Sequence, residues 1–239
     1  MIQISVELVP RSISELIADA RIVSKYKEVT CLNIPDIERL PIRSVDAVQI
    51  LKKEFDDRFH YVPHIPASRS TSTFLGENIF PLVVQGDEVS SLEAGCYPRS
   101  TRVIADFIKQ KHQHVYAACD QYRSNIIDEF SYIKKKRDVG ASGIFTQPFF
   151  SIAHAQYWAD ILIGVPEVFF GVSPVLTEKS QRYWEEKNNV VFPFAFMPTL
   201  SAQMMFAREM IHFAQHNRRS VYFMPIRAPL EEYFKGIFS

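Results

Sequence analysis

Apolar and polar positions along the chain switch repeatedly between a period of two and a period near 3.6, the signature of strands and helices taken in turn. Short apolar runs predict strands over residues 2–9, 28–32, 61–65, 79–84, 114–118, 143–147 and 167–172. Amphipathic segments between them predict helices near 12–26, 44–55, 99–110, 124–139, 154–163 and 178–187. Two more strand-like runs, 190–194 and 221–224, flank a helix near 201–216. The series predicts a single α/β domain over residues 1–239, a (β/α)8 barrel of the TIM type. Nine strand-like runs exceed the eight that a closed barrel uses, so one of them must lie outside it.

The most informative helix-to-strand step is KKKRDVGASGIFTQPFF, residues 134–150. Phe130, Ile133 and Arg137 follow helical spacing, with the lysines assigned to the solvated side, and Gly140 can take the left-handed conformation that closes a helix. The strand that follows should stop at Pro148, which cannot extend a ladder. That leaves Gln147 displayed at its tip, with an amide that donates and accepts at once. Barrel chemistry sits at the strand ends, but a glutamine there can equally be a plain strand cap.

Composition narrows the partners. Lysine plus arginine, 27, balances aspartate plus glutamate, 27, so there is no basic field for nucleic acid or an anionic membrane, and a small molecule is the expected partner. Cys31, Cys96 and Cys119 are far apart with no C-x-x-C pair, and no apolar stretch reaches the length of a membrane span, which together suit a cytoplasmic protein with reduced thiols. Glycine is scarce, at eight, and neither G-x-G-x-x-G nor a P-loop occurs, so neither nucleotide-binding motif is available. The H-x-H pair His112 and His114 lacks further ligands for a metal, and His212 and His216 lack the glutamate of H-E-x-x-H.

One carboxylate stands out. Glu7 lies among Val6, Leu8 and Val9 just before Pro10, where an unpaired charge is costly and desolvation raises the pKa into the range of a general acid. An outward-facing or salt-bridged glutamate is the alternative.

The run 134–150 resembles the signature of methylenetetrahydrofolate reductases, in which a basic helix, a D-x-G-A turn and a strand ending T-Q-x-F-F carry a folate-contacting glutamine. "VELVP" around Glu7 resembles the family's F-E-F-F-P, and "LVVQGDE" resembles its L-R-G-D. The resemblance covers nearly the whole chain and implies reduction of 5,10-methylenetetrahydrofolate to 5-methyltetrahydrofolate, or the reverse, with NAD(P)H and FAD. It implies Glu7 as the acid at folate N10 and Asp87 beside the redox centre, with Gln147 contacting folate, Trp184 stacking on folate or nicotinamide, and Arg227 near folate or flavin. For the flavin it implies Thr30, His64, Gln85, Gly86, Asp87, Cys119, Glu129 and Lys136, and for the barrel mouth Asn33, Asp36 and Arg69. It also implies that 190–196 is the run outside the barrel.

The chain departs from that pattern at the flavin. Gln85 replaces an arginine, Cys119 replaces a tyrosine, and the segment after it has lost a histidine. The departures favour a second version in which nicotinamide passes hydride directly to the folate. A third reading, a non-catalytic folate-binding subunit that needs a partner, and a homo-oligomer both stay open.

Overall fold

A computed structural model describes residues 2–69, 75–86, 99–122 and 125–239. Eight parallel strands close in sequence order into a (β/α)8 barrel: β1 (Ile4–Glu7), β2 (Val29–Ile34), β3 (His60–Pro66), β4 (Leu82–Val84), β5 (Tyr116–Cys119), β6 (Gly143–Pro148), β7 (Glu167–Val172) and β8 (Ser220–Phe223). The helices are α1 (Ile13–Ser24), α2 (Ser44–Phe55), α3 (Ser100–Lys109), α4 (Ile126–Asp138), α5 (Ile152–Ile161), α6 (Glu178–Asn188), α7 (Leu200–His216) and α8 (Leu230–Phe238). Ser12, Asn125, Ser151, Thr177 and Thr199 cap α1, α4, α5, α6 and α7 by accepting a first-turn N–H.

The run that the strand count required to be left over is 190–196. It follows a left-handed Asn189 that ends α6, contains Pro193, and has no strand edge to pair with because β7 already lies between β6 and β8. Val190 turns into a satellite aromatic cluster while Val191 and Phe194 face solvent.

Strand alternation divides the core into two layers. One set of side chains, including Ile4, Val6 and Leu8 of the first strand, packs outward against the helices. The other set fills the lumen with Cys31, Val62, Phe80, Leu82, Tyr116, Phe145, Phe169, Tyr222 and Met224. Phe145 and Phe169 stack at 4.0 Å, and Tyr116 meets them edge-on at 5.1 and 5.7 Å. This aromatic packing plugs the barrel, so only the strand tips are left to handle a ligand.

Three local expectations need correction. Lys136 is not on the solvated face of α4: it is 5% exposed and donates to the carbonyl of Ala118 at 2.5 Å with its ammonium 4.0 Å over the Tyr132 ring. Phe130, expected to face inward, is exposed, and Ile133 is the residue that enters the core. His112 and His114 precede β5 and do not form a pair on one strand face; His112 packs on Phe107, and His114 on Phe80 and Tyr116.

Candidate active site

Polar residues gather where the strands end. Ser5 and Glu7 of β1 alternate with the outward-packed Ile4, Val6 and Leu8, and Asn33, His64 and Tyr222 come in from β2, β3 and β8. The Tyr222 hydroxyl donates to Glu7 Oε2. Asn33 Nδ2 donates to Ser5 Oγ, which turns its Oδ1 toward His64 Nε2 at 3.2 Å. That nitrogen therefore carries the imidazole proton. The His64 ring meets the Tyr222 ring edge-on at 6.4 Å, and its backbone carbonyl accepts from Ser44 Oγ at 2.7 Å, so the histidine is fixed from both sides.

Burial decides the charges. Glu7 is half-buried, and desolvation pushes its carboxyl up to about 7, with the bond from Tyr222 pulling the other way. His64 is pushed down to about 4 by the same cause, partly opposed by Asp36. Near neutrality the site thus holds a neutral imidazole and a carboxyl close to half protonated. Glu7 also opens on a cleft of about 710 Å³ running outward between α1 and α8, which Arg227 shares from the loop after β8 with a left-handed φ of 58°.

Gln147 sits at the tip of β6 on an irregular stretch. The β6–β7 pairing shifts register between Phe145 and Pro148, so β6 carries one residue more than its partner. The Thr146 hydroxyl fills the gap, accepting from Gly171 N at 2.9 Å and donating to the Gln147 carbonyl at 2.8 Å. On the other side the Gln121 amide accepts from Gln147 N at 3.1 Å and donates to its carbonyl at 2.7 Å. Gly171 is required here, since a Cβ on it would lie 2.6 Å from the Gln147 carbonyl oxygen. The Gln147 side-chain amide itself has no hydrogen-bond partner among the described residues.

The remaining expected residues scatter. Thr30 starts β2 rather than following it: its hydroxyl reaches the Ile4 carbonyl at 3.5 Å and it lines a cavity at the opposite end of the barrel, with Lys27 and His212. Cys119 faces the helix layer, and the lumen position of β5 is Ala118. Gln85 Oε1 accepts from Ser100 N and from the Tyr132 hydroxyl, both at 3.3 Å, and so caps α3. Glu129 is 4% exposed and accepts from Asp120 N at 3.0 Å, so both it and Lys136 hold the backbone at the end of β5. Trp184 is 9% exposed and packs edge-on at 5.7 Å against Phe150, inside the satellite cluster rather than over a ligand face. Asp36 binds Arg43, Arg69 and Ser44 N, which caps α2.

Gly86 does stand where close approach matters, with φ 78° and room for no Cβ beside Pro66 and Ser68. Asp87 lies outside the described residues. Two functional candidates carried no motif. Tyr222 could have been found by alternation, one residue after the outward Val221; Gln121 lies in a turn whose sequence has no periodicity. No group of three His, Cys, Asp or Glu among the described residues could hold a metal ion, and no helix among them is long and apolar enough to cross a membrane.

The fold and site define a TIM barrel with a half-buried carboxyl at the strand tips. No family model and no curated protein matches the chain. Among solved structures it is similar to an uncharacterized protein from Clostridium thermocellum that binds two copies of 5-methyl-5,6,7,8-tetrahydrofolic acid, with TM-score 0.59, 11% identity, and 98% of this chain and 92% of that chain covered. A putative deoxyribose-phosphate aldolase from Toxoplasma gondii has TM-score 0.53, 11% identity and coverage of 98% and 93%. Yersinia pestis DHPS with a pterine-sulfa conjugate has TM-score 0.53, 13% identity and coverage of 98% and 90%. Identities this low establish the shared barrel and nothing finer.

Proposed function

We propose that this barrel binds a reduced folate across its mouth and reduces 5,10-methylenetetrahydrofolate to 5-methyltetrahydrofolate, with hydride passed directly from NAD(P)H. The observation that carries the reading is Glu7, held near half protonation at neutral pH under Tyr222, with the unpartnered Gln147 amide three strands away around the rim. That a barrel of this shape from C. thermocellum binds methyltetrahydrofolate, and another from Y. pestis a pterin conjugate, supports the ligand class.

In this reading Gln147 pairs with the donor and acceptor edge of the pterin. Glu7 delivers its proton to folate N10, the N10–methylene bond breaks, and the methylene is left as an iminium on N5. Hydride from the nicotinamide adds to that carbon, so one NAD(P)H and one proton are consumed for each methyl group formed. Glu7, left charged, is reprotonated from solvent through the cleft on which it opens. Arg227 in that cleft suits the carboxylates of the folate tail.

Five of the eight residues expected around a flavin lie away from the barrel mouth, which supports the flavin-free version. Cys119, Gln85, Glu129, Lys136 and Thr30, all expected around it, are turned to the helix layer, engaged in capping, buried against backbone, or at the wrong end of the barrel. FAD is therefore given no role in the mechanism.

The test is nicotinamide oxidation by purified, colourless protein on addition of methylenetetrahydrofolate, without added flavin. Turnover at a rate unchanged by FAD is expected. Turnover only with FAD, accompanied by oxidised-flavin absorption bands, would return the flavin route, and folate binding without turnover under either condition would leave a binding subunit.

A further inference from the structure

We infer that Gln121 is a positioning residue that aims Gln147 at the ligand. The inference rests on the folate-binding reading of Gln147 and extends it to a residue that touches no substrate. Its basis is the irregular end of β6. Where β6 gains a residue on β7, the Gln147 peptide loses its regular place in that ladder, and a strand tip so released would be free to turn.

The Gln121 side chain takes the place of a neighbouring strand. It is 7% exposed and lies in the turn after β5, and its amide makes the two bonds that a paired residue would make, from Gln147 N at 3.1 Å and to Gln147 O at 2.7 Å. Its Nε2 also reaches the Pro148 carbonyl at 3.4 Å, to which the adjacent Tyr122 hydroxyl donates at 2.8 Å. An amide suits this place without any change of protonation, because the site takes an acceptor and a donor side by side. A carboxylate of the same length would set its charge against two carbonyls, and an apolar side chain would leave a buried N–H unpaired.

The consequence is a division of labour. With both main-chain groups of Gln147 held by Gln121 and the carbonyl held a second time by Thr146, the side-chain amide is left over for a ligand at a fixed bearing. Pre-set geometry of this kind acts on binding, by removing the freedom a bound ligand would otherwise have to restrict.

The experiment measures methyltetrahydrofolate affinity for Gln121→Met, Gln147→Ala and the double variant, alongside hydrogen exchange at the Gln147 amide. Gln121→Met keeps the volume and removes both bonds. Each single variant is expected to weaken binding about tenfold, the scale of one lost hydrogen bond, and the double variant to be no weaker than Gln147→Ala alone. Normal affinity in Gln121→Met beside a weakened Gln147→Ala, or losses that multiply, would overturn the inference. If Gln147→Ala binds normally, the folate role of Gln147 fails separately. Exchange then decides, with lost protection at Gln147 in Gln121→Met upholding the clamp and retained protection removing it. Should Gln121→Met not fold, Gln121→Asn, which withdraws the amide by one methylene, replaces it throughout the series.

Discussion

Tyr222 donates its hydroxyl proton to Glu7 Oε2 across the seam where β8 meets β1. Burial raises the carboxyl toward 7 and this bond restrains it, so the phenol sets where the acid titrates. Replacing Tyr222 by Phe removes the restraint and raises the Glu7 pKa further. The alkaline limb of the pH–rate profile is expected to move up by about one unit, the scale of a hydrogen bond to a charged group. A limb that stays in place would separate Tyr222 from the acid.

Glu7→Gln should abolish reduction while leaving methyltetrahydrofolate binding largely intact. It also has a stability signature. A carboxyl raised from 4.5 to about 7 on folding contributes stability that is complete below 4.5 and lost as pH rises through 7. The glutamine variant has no such loss. Its stability relative to the parent should climb between those values and then level off, by at most about 3.5 kcal/mol at about 1.4 kcal/mol per unit, as read by urea unfolding at several pH values.

Gly171→Ala places a methyl group 2.6 Å from the Gln147 carbonyl oxygen and 2.8 Å from Met224 Cε. Backbone must shift, with an expected cost of about 1–3 kcal/mol in thermal or urea unfolding. Because the shift falls on the tip of β6, folate affinity should drop with it, whereas an equally destabilising change in the helix layer would leave affinity alone.

Tyr233 is fully buried on α8, and its hydroxyl has no hydrogen-bond partner among the described residues. Burial pushes the phenol well up, so it stays neutral. Tyr233→Phe deletes an unsatisfied polar atom at constant shape and should raise stability by about 1 kcal/mol in unfolding experiments.

Lys136→Met strips the Ala118 carbonyl of its ammonium partner in a buried place. A loss of about 1–3 kcal/mol in stability is expected, with kcat and KM for NAD(P)H unchanged in the folded fraction. A specific loss of turnover would return Lys136 to the cofactor site.

Periodicity made the barrel legible because each strand and helix repeats its own spacing, and counting showed one strand-like run too many, while the family resemblance was what pointed to 190–196 as the one outside. At the site, Glu7 was legible because a carboxylate inside an apolar strand has few other uses, and Gln147 because Pro148 marks where its strand must stop. Facing direction was not legible where a strand boundary slipped. Starting β2 at Val29 and running it to Ile34 sends Thr30 to the far end, and ending β5 at Cys119 turns that thiol outward in favour of Ala118. Lys136 was misread for a different reason. A lysine in a basic run is normally solvated, and only tertiary contact reveals a carbonyl within its reach.

The stacked Phe145 and Phe169 rings, with Tyr116 against their edges, close the barrel below the strand tips. Phe169 is fully buried and Phe145 only 2% exposed, so nothing descends past this layer, and the groups open to contact are those above it at the strand tips. The aromatic layer holds the fold together, and the rim residues are not part of it. Exchanges at the rim can thus change what this protein accepts while the layer that keeps it folded is left untouched.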